Sequence, residues 1–188
     1  MDNSKTQQLE KKIQRLKKLV YLDPLTNVYN RRGFLELGTS YFQSFQESKR
    51  RHRKNDIHNL SIIFLDIDDF KKVNDRYGHP KGDRVLKQLA KLLKQSIRKT
   101  DLLARWGGDE FVILFLNVNS LNAQKLAQKI CSTVRKNKIA GLYITISAGL
   151  FNLSKSDSFI SAINQADKLM YQGKKQGKNQ YVTSIRRN

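Results

Sequence analysis

The chain has 188 residues and a mass of 21.8 kDa, which predicts one domain with at most a short appendage. Its 36 lysines and arginines against 16 acidic residues give a formal charge of +20, so an anionic partner is expected: a nucleotide, nucleic acid, an acidic membrane surface or an acidic protein. The longest apolar run, Phe111–Leu116, is too short to span a bilayer, and the polar N-terminus lacks the apolar stretch of a signal peptide. One cysteine, Cys131, excludes an internal disulfide and is expected in the core. The composition predicts a soluble cytoplasmic protein.

The N-terminal segment, residues 1–22, is predicted to be an amphipathic helix. Four apolar side chains follow one another at spacings of four, three and four residues: Leu9, Ile13, Leu16 and Val20. Such a short seam is typical either of a helix that pairs with a second copy of the chain or of one that packs on its own domain. Asp23 precedes a proline and therefore ends the helix, so the main domain is expected over residues 23–188.

The first half of the main domain alternates helices with one buried strand. Asn30 is a candidate N-cap for a helix that reaches about Phe45. The β-branched, apolar run Leu60–Leu65 predicts a buried strand that ends in an acidic cluster. A helix that begins near this cluster is broken around Tyr77–Pro80, and the amphipathic pattern of Arg84–Arg98 predicts a further helix.

The second half begins with a predicted hairpin. Leu102–Trp106 and Phe111–Leu116 are joined by Gly107-Gly108-Asp109-Glu110, and glycines between strands favour a tight turn because they accept positive φ. The remaining predicted elements are a helix over Leu121–Lys136, a strand over Tyr143–Leu150, a helix over Phe159–Gln172 and a strand near Gln180–Ser184. The order β-α-α-β-β-α-β-α-β predicts an α/β (α+β) sandwich with a mainly antiparallel central sheet and helices outside.

Three carboxylates lie at the ends of apolar, buried strands, where a charged side chain lowers stability. Asp66 directly follows the buried strand, and Asp109 and Glu110 lie at the tip of the hairpin between apolar strands. Without a cation they would repel one another, and such hard oxygen ligands suit Mg²⁺. The alternative is that Asp66 or Asp68 caps the next helix and that Asp109 closes the turn. Spacing alone leaves both interpretations open.

Five blocks of sequence stand out together over about residues 23–183. They are Gly107-Gly108-Asp109-Glu110-Phe111, Asp23-Pro24-Leu25-Thr26 with Asn30-Arg31-Arg32, the run Asp66–Asp75, Gly78-His79 with Gly82-Asp83, and Ala166-Asp167 with Tyr171, Lys174 and Gly177-Lys178-Asn179. In their order and spacing these blocks resemble the GGDEF family of bacterial diguanylate cyclases.

The resemblance implies a fold like that of nucleotidyl cyclases and polymerase palm domains, and an enzyme that condenses two GTP into cyclic di-GMP and two pyrophosphates on a symmetric dimer. It also implies two Mg²⁺ ions, with Mn²⁺ as a possible substitute. Asp66, the carbonyl of Ile67, Asp109 and Glu110 match the family's metal ligands. Asp109 matches the residue that takes the proton from the attacking 3′-hydroxyl, with Glu110 assisting the metal.

The same resemblance assigns substrate contacts. Asn74 and Asp83 match the pair that recognises guanine, although Asp83 could instead be the N-cap of the following helix. The other matches are His79 as a substrate contact, and the backbone near Phe70 with Lys71, Lys174 and Lys178 as triphosphate contacts. Lys178 stands where the family usually has arginine, whose bidentate contact a lysine cannot reproduce. The alternative for Lys174 and Lys178 is a plain basic tail.

Arg98 and Asp101 form an RxxD motif five residues before Gly107, which matches the family's inhibitory site for bound cyclic di-GMP. Surface charge is the alternative for Arg98. Two other functions compete with the enzyme: a catalytically inactive cyclic di-GMP receptor, and a basic nucleic-acid-binding protein. The second is disfavoured because no DNA- or RNA-binding motif is recognisable. The basic run over residues 49–54 is interpreted as a solvated loop.

Overall fold

The computed structural model describes residue 7 and residues 20–48, 56–154 and 157–184. Most of the predicted helix over residues 1–22, and the basic run over residues 49–54, therefore lie outside the described residues. Val20 and Tyr21 are helical, and Leu22 already forms a β-bridge with Tyr29. The chain thus leaves the helix just before Asp23-Pro24, where the sequence predicts that it ends.

The domain is built on a six-stranded sheet. Its strands are β1 (Tyr29–Asn30), β2 (Leu60–Ile67), β3 (Leu102–Arg105), β4 (Glu110–Leu116), β7 (Ile146–Asn152) and β8 (Tyr181–Thr183), and a separate hairpin contains β5 (Lys138–Ile139) and β6 (Leu142–Tyr143). The order is β1-β3-β4-β2-β7-β8. The four inner strands are antiparallel neighbours, whereas β1 and β8 pair in parallel at the two edges.

Helices cover both faces of the sheet, which confirms the predicted sandwich. They are α1 (Arg31–Ser48), α2 (Phe70–Tyr77), α3 (His79–Ser96), α4 (Ser120–Lys136) and α5 (Phe159–Lys175). One hydrophobic cluster joins the sheet to α2, α3 and α4, and a second joins it to α1 and α5. Among the described residues, no helix is both long and apolar enough to cross a membrane.

Strand β2 lies at the centre of the fold. All eight of its residues are buried because helices cover both sides, which explains its continuous apolar run. Next to it, Gly149 of β7 lets α5 approach the sheet closely, since a Cβ there would overlap with the backbone of Ala166 and Met170. The buried core position of Cys131 and the Asn30 cap of α1, whose side chain accepts from the amide of Gly33 at 2.9 Å, are confirmed.

Three local predictions differ from the structure. Helix α3 begins at His79, with Pro80 in its first turn, rather than at Arg84, because proline at the first helical positions sacrifices no hydrogen bond. Asp83 therefore lies inside α3, and its interpretation as an N-cap is wrong. The strand predicted from Tyr143 begins only at Ile146, because Tyr143 belongs to the unpredicted β5–β6 hairpin.

Candidate active site

The three carboxylates meet where β2 ends and β4 begins. In the antiparallel register Asp66 lies directly opposite Glu110, and Asp109 immediately precedes Glu110. Asp66 is only 5% exposed, whereas Asp109 and Glu110 are half-buried. The pairing of two strands that are distant in sequence therefore brings these acids to one sheet terminus, as the sequence predicts.

Backbone hydrogen bonds and side-chain contacts both hold the hairpin turn: the amide of Trp106 donates to the carbonyl of Glu110 at 2.8 Å. Neither Gly107 nor Gly108 has a positive φ, so that expectation is wrong; a Cβ at Gly107 would instead lie 3.0 Å from the carboxylate of Glu110. The guanidinium of Arg105 donates to the carbonyl of Gly108 at 2.9 and 2.7 Å and pairs with Asp23 at 3.3 Å. These contacts tie the turn to the first residues of the domain.

Burial and mutual repulsion disfavour the charged form of these acids. The pKa of Asp66 is raised to about 6, chiefly by burial and also by the neighbouring carboxylates of Asp109 and Glu110, while the ammonium of Lys174 opposes the shift. The pKa of Glu110 is also raised, first by burial and then by the carboxylates of Asp167 and Asp109. Asp167, to which the sequence assigned no role, therefore belongs to the surroundings of the site.

The donor set fits a divalent cation. Asp66 Oδ1 is buried and has no hydrogen-bond partner among the described residues, while Oδ2 contacts Lys174 Nζ at 2.7 Å. A buried carboxylate oxygen without a hydrogen-bond partner, close to two further acids, is a hard-ligand environment in which one lysine faces three carboxylates. In the described ranges no three acidic, histidine or cysteine side chains are already spaced to hold an ion, and Lys174 supplies the neighbouring positive charge.

Asp68 anchors the end of β2 to two other segments, a role that the sequence did not indicate. Its carboxylate accepts from the hydroxyls of Thr145 and Ser147, both at 2.6 Å, and from the backbone amide of Asn179 at 3.0 Å. The N-cap position of α2 is Asp69, in a left-handed conformation and without a side-chain cap. The alternative that Asp66 or Asp68 caps this helix is therefore wrong.

Lys178 lies beside the same loop. Residues 177–179 are consecutive residues with positive φ, and this compact turn places Lys178 Nζ 2.8 Å from Asp69 Oδ2. Lys72 contacts the other oxygen of Asp69 at 2.9 Å, and the hydrogen bonds from the two lysines lower the pKa of Asp69 to about 2. Two of the three lysines predicted to contact the triphosphate, Lys174 and Lys178, are thus paired with acids of the β2–α2 region.

The predicted guanine contacts lie at the junction of α2 and α3. Asn74 of α2 packs on Gly82 of α3 so closely that a Cβ at Gly82 would overlap with Asn74 Oδ1. Asp83 follows Gly82 and is exposed, and exposed His79 is the first residue of α3. Phe70 and Lys71 open α2 near the acids, one buried and one exposed. The structure therefore places the predicted substrate contacts around one end of the sheet.

The comparisons with known proteins agree with this geometry. The family model described as "Diguanylate cyclase, GGDEF domain" matches residues 20–180. The chain belongs to the GGDEF family. It is 37% identical over 130 residues to diguanylate cyclase A of Treponema denticola, an alignment that covers 66% of this chain and 35% of the relative. The chain spans between 27% and 45% of the length of the first curated relatives that it matches.

Solved GGDEF structures share the fold. The active GGEEF domain of a diguanylate cyclase from Vibrio cholerae is 32% identical and superposes with a TM-score of 0.70, covering 84% of this chain and 98% of that one. The GGDEF domain of DgcB from Caulobacter crescentus, determined in complex with c-di-GMP, is 26% identical, with a TM-score of 0.79 and coverage of 87% and 95%.

The RxxD motif of this GGDEF domain lies at the opposite end of β4 from the acids. Asp101 Oδ2 accepts from the amide of Arg98 at 2.9 Å and Oδ1 accepts from the amide of Leu116 at 3.1 Å. Leu116 is six residues along β4 from Glu110, roughly 20 Å at the rise of a strand. Arg98 is exposed between two pockets of about 610 and 360 Å³, whereas Asp101 is buried.

Proposed function

We propose that this chain condenses two GTP molecules into cyclic di-GMP with release of two pyrophosphates. The observation that carries the proposal is the buried Asp66, with one oxygen unpartnered among the described residues, opposite Glu110 and beside Asp109 at the GGDEF hairpin. Family membership and the structural neighbours support it. The reaction joins the 3′-oxygen of one GTP to the α-phosphorus of the other, with pyrophosphate as the leaving group.

The carboxylates of Asp66, Asp109 and Glu110, with the carbonyl of Ile67, would hold Mg²⁺, or Mn²⁺ in its place. Bound there, the cation would offset the charge of carboxylates and triphosphate and acidify the attacking hydroxyl. The unpartnered Oδ1 of Asp66 supports this assignment because a buried carboxylate oxygen is otherwise costly.

Asp109 is proposed to accept the proton of the 3′-hydroxyl. It is half-buried at the hairpin tip, and the contacts of Arg105 with the carbonyl of Gly108 fix the backbone beside it. A carboxylate is a weak base for a sugar hydroxyl, so positioning of the two reactants supplies much of the rate acceleration.

Lys174 and Lys178 are proposed to exchange carboxylate partners for phosphate oxygens when substrate binds. Each already lies within 2.8 Å of an acid, Lys174 on Asp66 and Lys178 on Asp69, so both cations are kept at the site in the absence of GTP. Lys71 and the first amides of α2 complete the proposed phosphate contacts.

Asn74 and Asp83 are proposed to bind guanine, with His79 as a further substrate contact. A carboxylate can accept from both the N1–H and the 2-amino group of guanine, whereas adenine lacks this pair of donors. The close packing of α2 on α3 at Gly82 supports the assignment, because it keeps the Asn74 side chain beside the residue that precedes Asp83.

A symmetric dimer and product inhibition complete the proposal. One site that holds a single GTP cannot close the ring, so specific activity is expected to rise with protein concentration below the dimer dissociation constant. Bound cyclic di-GMP is proposed to inhibit through Arg98, whose exposed guanidinium lies between the two pockets near the RxxD turn.

Chromatography of the products formed from GTP and Mg²⁺ tests the proposal. We expect cyclic di-GMP from the unmodified chain and from Glu36→Gln, which removes an exposed carboxylate of α1, but not from Asp109→Asn. Cyclic di-GMP binding without turnover, even after enforced dimerisation, would support the receptor alternative instead.

A further inference from the structure

A group of seven cations lies away from the proposed active site, on the outer sides of α3 and α4. We define the basic face as seven exposed cations: Arg84, Lys87, Lys91 and Lys94 on α3, with Lys125, Lys129 and Lys136 on α4. Both helices pack on the same side of the sheet through one hydrophobic cluster. The cations on each helix recur at mostly three- or four-residue spacings and therefore share its outer side.

Few acidic residues lie near the basic face in the sequence: exposed Asp83 precedes Arg84 on α3, four residues before Lys87, and can offset part of the charge only at that end of the face. Between Arg84 and Ser154 the acidic residues are Asp101, which is buried, and Asp109 and Glu110, which lie at the catalytic hairpin. The salt bridges found within the described ranges involve Lys72, Arg105, Lys174 and Lys178, and none involves a residue of the basic face. The charge of this face is therefore largely uncompensated by the described part of the domain.

The basic face lowers the stability of the isolated domain because its positive charges lie close together. Like charges three and four residues apart on a helix repel one another, and none of these seven cations has a role in the proposed reaction. An external surface of negative charge would relieve this repulsion, so the face is electrostatically complementary to a polyanion.

An exposed aromatic residue lies on the same side of the sheet. The β5–β6 hairpin is tied to α3 by a hydrogen bond from the amide of Ala140 to the side chain of Gln88. On this hairpin Tyr143 is 70% exposed, with Lys138 Nζ 5.5 Å from its ring centroid. A tyrosine combined with lysines is suited to the interface between lipid headgroups and acyl chains, where the ring is partly buried and the ammonium groups meet phosphates.

We propose that the basic face and Tyr143 dock this domain on a bilayer rich in anionic lipid. The face offers six lysines and one arginine, which suit a diffuse array of phosphates better than base-specific hydrogen bonds. The acid cluster lies at a terminus of the sheet, whereas the basic face covers one of its sides. Docking would therefore leave the route to the acids open.

Sedimentation with vesicles of phosphatidylcholine, with or without about 30% phosphatidylglycerol, tests the docking. The test variant is Lys91→Gln/Lys94→Gln/Lys129→Gln. The matched control, Arg32→Gln/Lys168→Gln/Lys175→Gln, removes the same charge from exposed positions of α1 and α5 on the other side of the sheet. At physiological ionic strength we expect the test variant to bind anionic vesicles roughly 100-fold more weakly than the unmodified chain, and the control to retain most of the binding.

A tyrosine variant and a DNA duplex complete the test. Tyr143→Ala is expected to weaken vesicle binding several-fold without altering its salt dependence. Absence of binding to anionic vesicles, or an equal loss in the test and control variants, would overturn the proposal. Binding of a DNA duplex without binding of vesicles would also overturn it and identify nucleic acid as the partner. All these measurements are independent of turnover, so they stand or fall separately from the proposed cyclase.

Discussion

A buried aspartate lies beside each end of β4, but the two carboxylates differ in their hydrogen bonds. Near the start of the strand, Asp66 has one oxygen without a hydrogen-bond partner in the described residues. At the other end, both oxygens of Asp101 accept from backbone amides, those of Arg98 and Leu116. A buried carboxylate whose oxygens both accept hydrogen bonds stabilises the fold. A buried carboxylate oxygen without a partner lowers the stability, and a bound ligand can remove this cost. The hydrogen bonds, rather than burial alone, separate the two roles.

Asp66→Asn should have the largest effect on turnover. Removing the charge is expected to lower kcat by about 10³-fold, because the site loses an electrostatic contact to the reacting groups. The thermal midpoint should stay within a few degrees or rise, since a buried carboxylate opposed by two neighbours is lost. Steady-state kinetics and thermal unfolding of the same preparation check both halves. Turnover within tenfold of the unmodified chain would contradict the assignment.

Asp101→Ala, in contrast to Asp66→Asn, should lower the stability of the fold. It leaves the amides of Arg98 and Leu116 without their acceptor, so we expect the free energy of unfolding to fall by roughly 3 kcal/mol. Arg98→Ala, at an exposed position, is the matched control and should change it by less than about 0.5 kcal/mol. Urea unfolding measures both. Inhibition by added cyclic di-GMP should weaken in Arg98→Ala while its fold stays intact; unchanged inhibition would remove Arg98 from the product site.

The pH dependence of stability sharpens the contrast further. The pKa of Asp66 is about 6 in the folded chain against an ordinary value of 3.8, so the folded state takes up this proton first. In the absence of divalent cations, the stability should therefore rise as pH falls from about 6 to 4, by up to about 3 kcal/mol.

Asp69, whose pKa is lowered to about 2, acts in the opposite direction and only below pH 4. Asp66→Asn should remove most of the rise between pH 6 and 4 and leave a smaller contribution from Glu110 and Asp167, whose pKa values are also raised. Urea titrations at several pH values in EDTA provide the measurement. A rise of undiminished size in Asp66→Asn would assign the proton to another group.

Much of the framework was predictable because it rests on periodicity. The buried run of β2 and the apolar stripes of the long helices predict the layers, whereas the pairing of β2 with β4, which sets Asp66 opposite Glu110, was not predicted. The start of α3 was not predicted, because the amphipathic pattern is clear only from Arg84, whereas proline begins the helix earlier.

The parts of the site that sequence did not reveal depend on hydrogen bonds between distant segments. Asp68 joins β2 to Thr145, Ser147 and Asn179, residues about 77 to 111 positions away, and no local pattern indicates such partners. The pairing of Lys174 with Asp66 is equally non-local. The positive φ expected at the hairpin glycines is absent, and the contact of Arg105 with the carbonyl of Gly108 was not predicted.

Gly82→Ala should affect substrate binding more than folding. The added Cβ overlaps with the end of the Asn74 side chain, which can move aside, so we expect KM for GTP to rise about tenfold with kcat little changed. The gain in helix propensity, about 1 kcal/mol, offsets part of the strain. Gly149→Ala is the contrasting control, because its Cβ would meet the backbone of α5 and should destabilise the fold severely. Equal KM values for Gly82→Ala and the unmodified chain would contradict the proposal that Asn74 binds guanine.

Lys178→Arg, which tests the cation nearest Asp69, should change KM for GTP the least of these substitutions. Because arginine can contact a phosphate through two N–H groups where lysine provides a point charge, we expect KM for GTP to fall by about two- to threefold. The gain is limited because Asp69 competes for the same cation at 2.8 Å in the absence of substrate. Asp69→Asn should add to the gain by releasing this competitor, whereas Lys72→Arg, on the other oxygen of Asp69, should leave KM unchanged. An increase in KM for Lys178→Arg would mean that the left-handed turn at residues 177–179 places a lysine, but not the longer guanidinium, within reach of the phosphates.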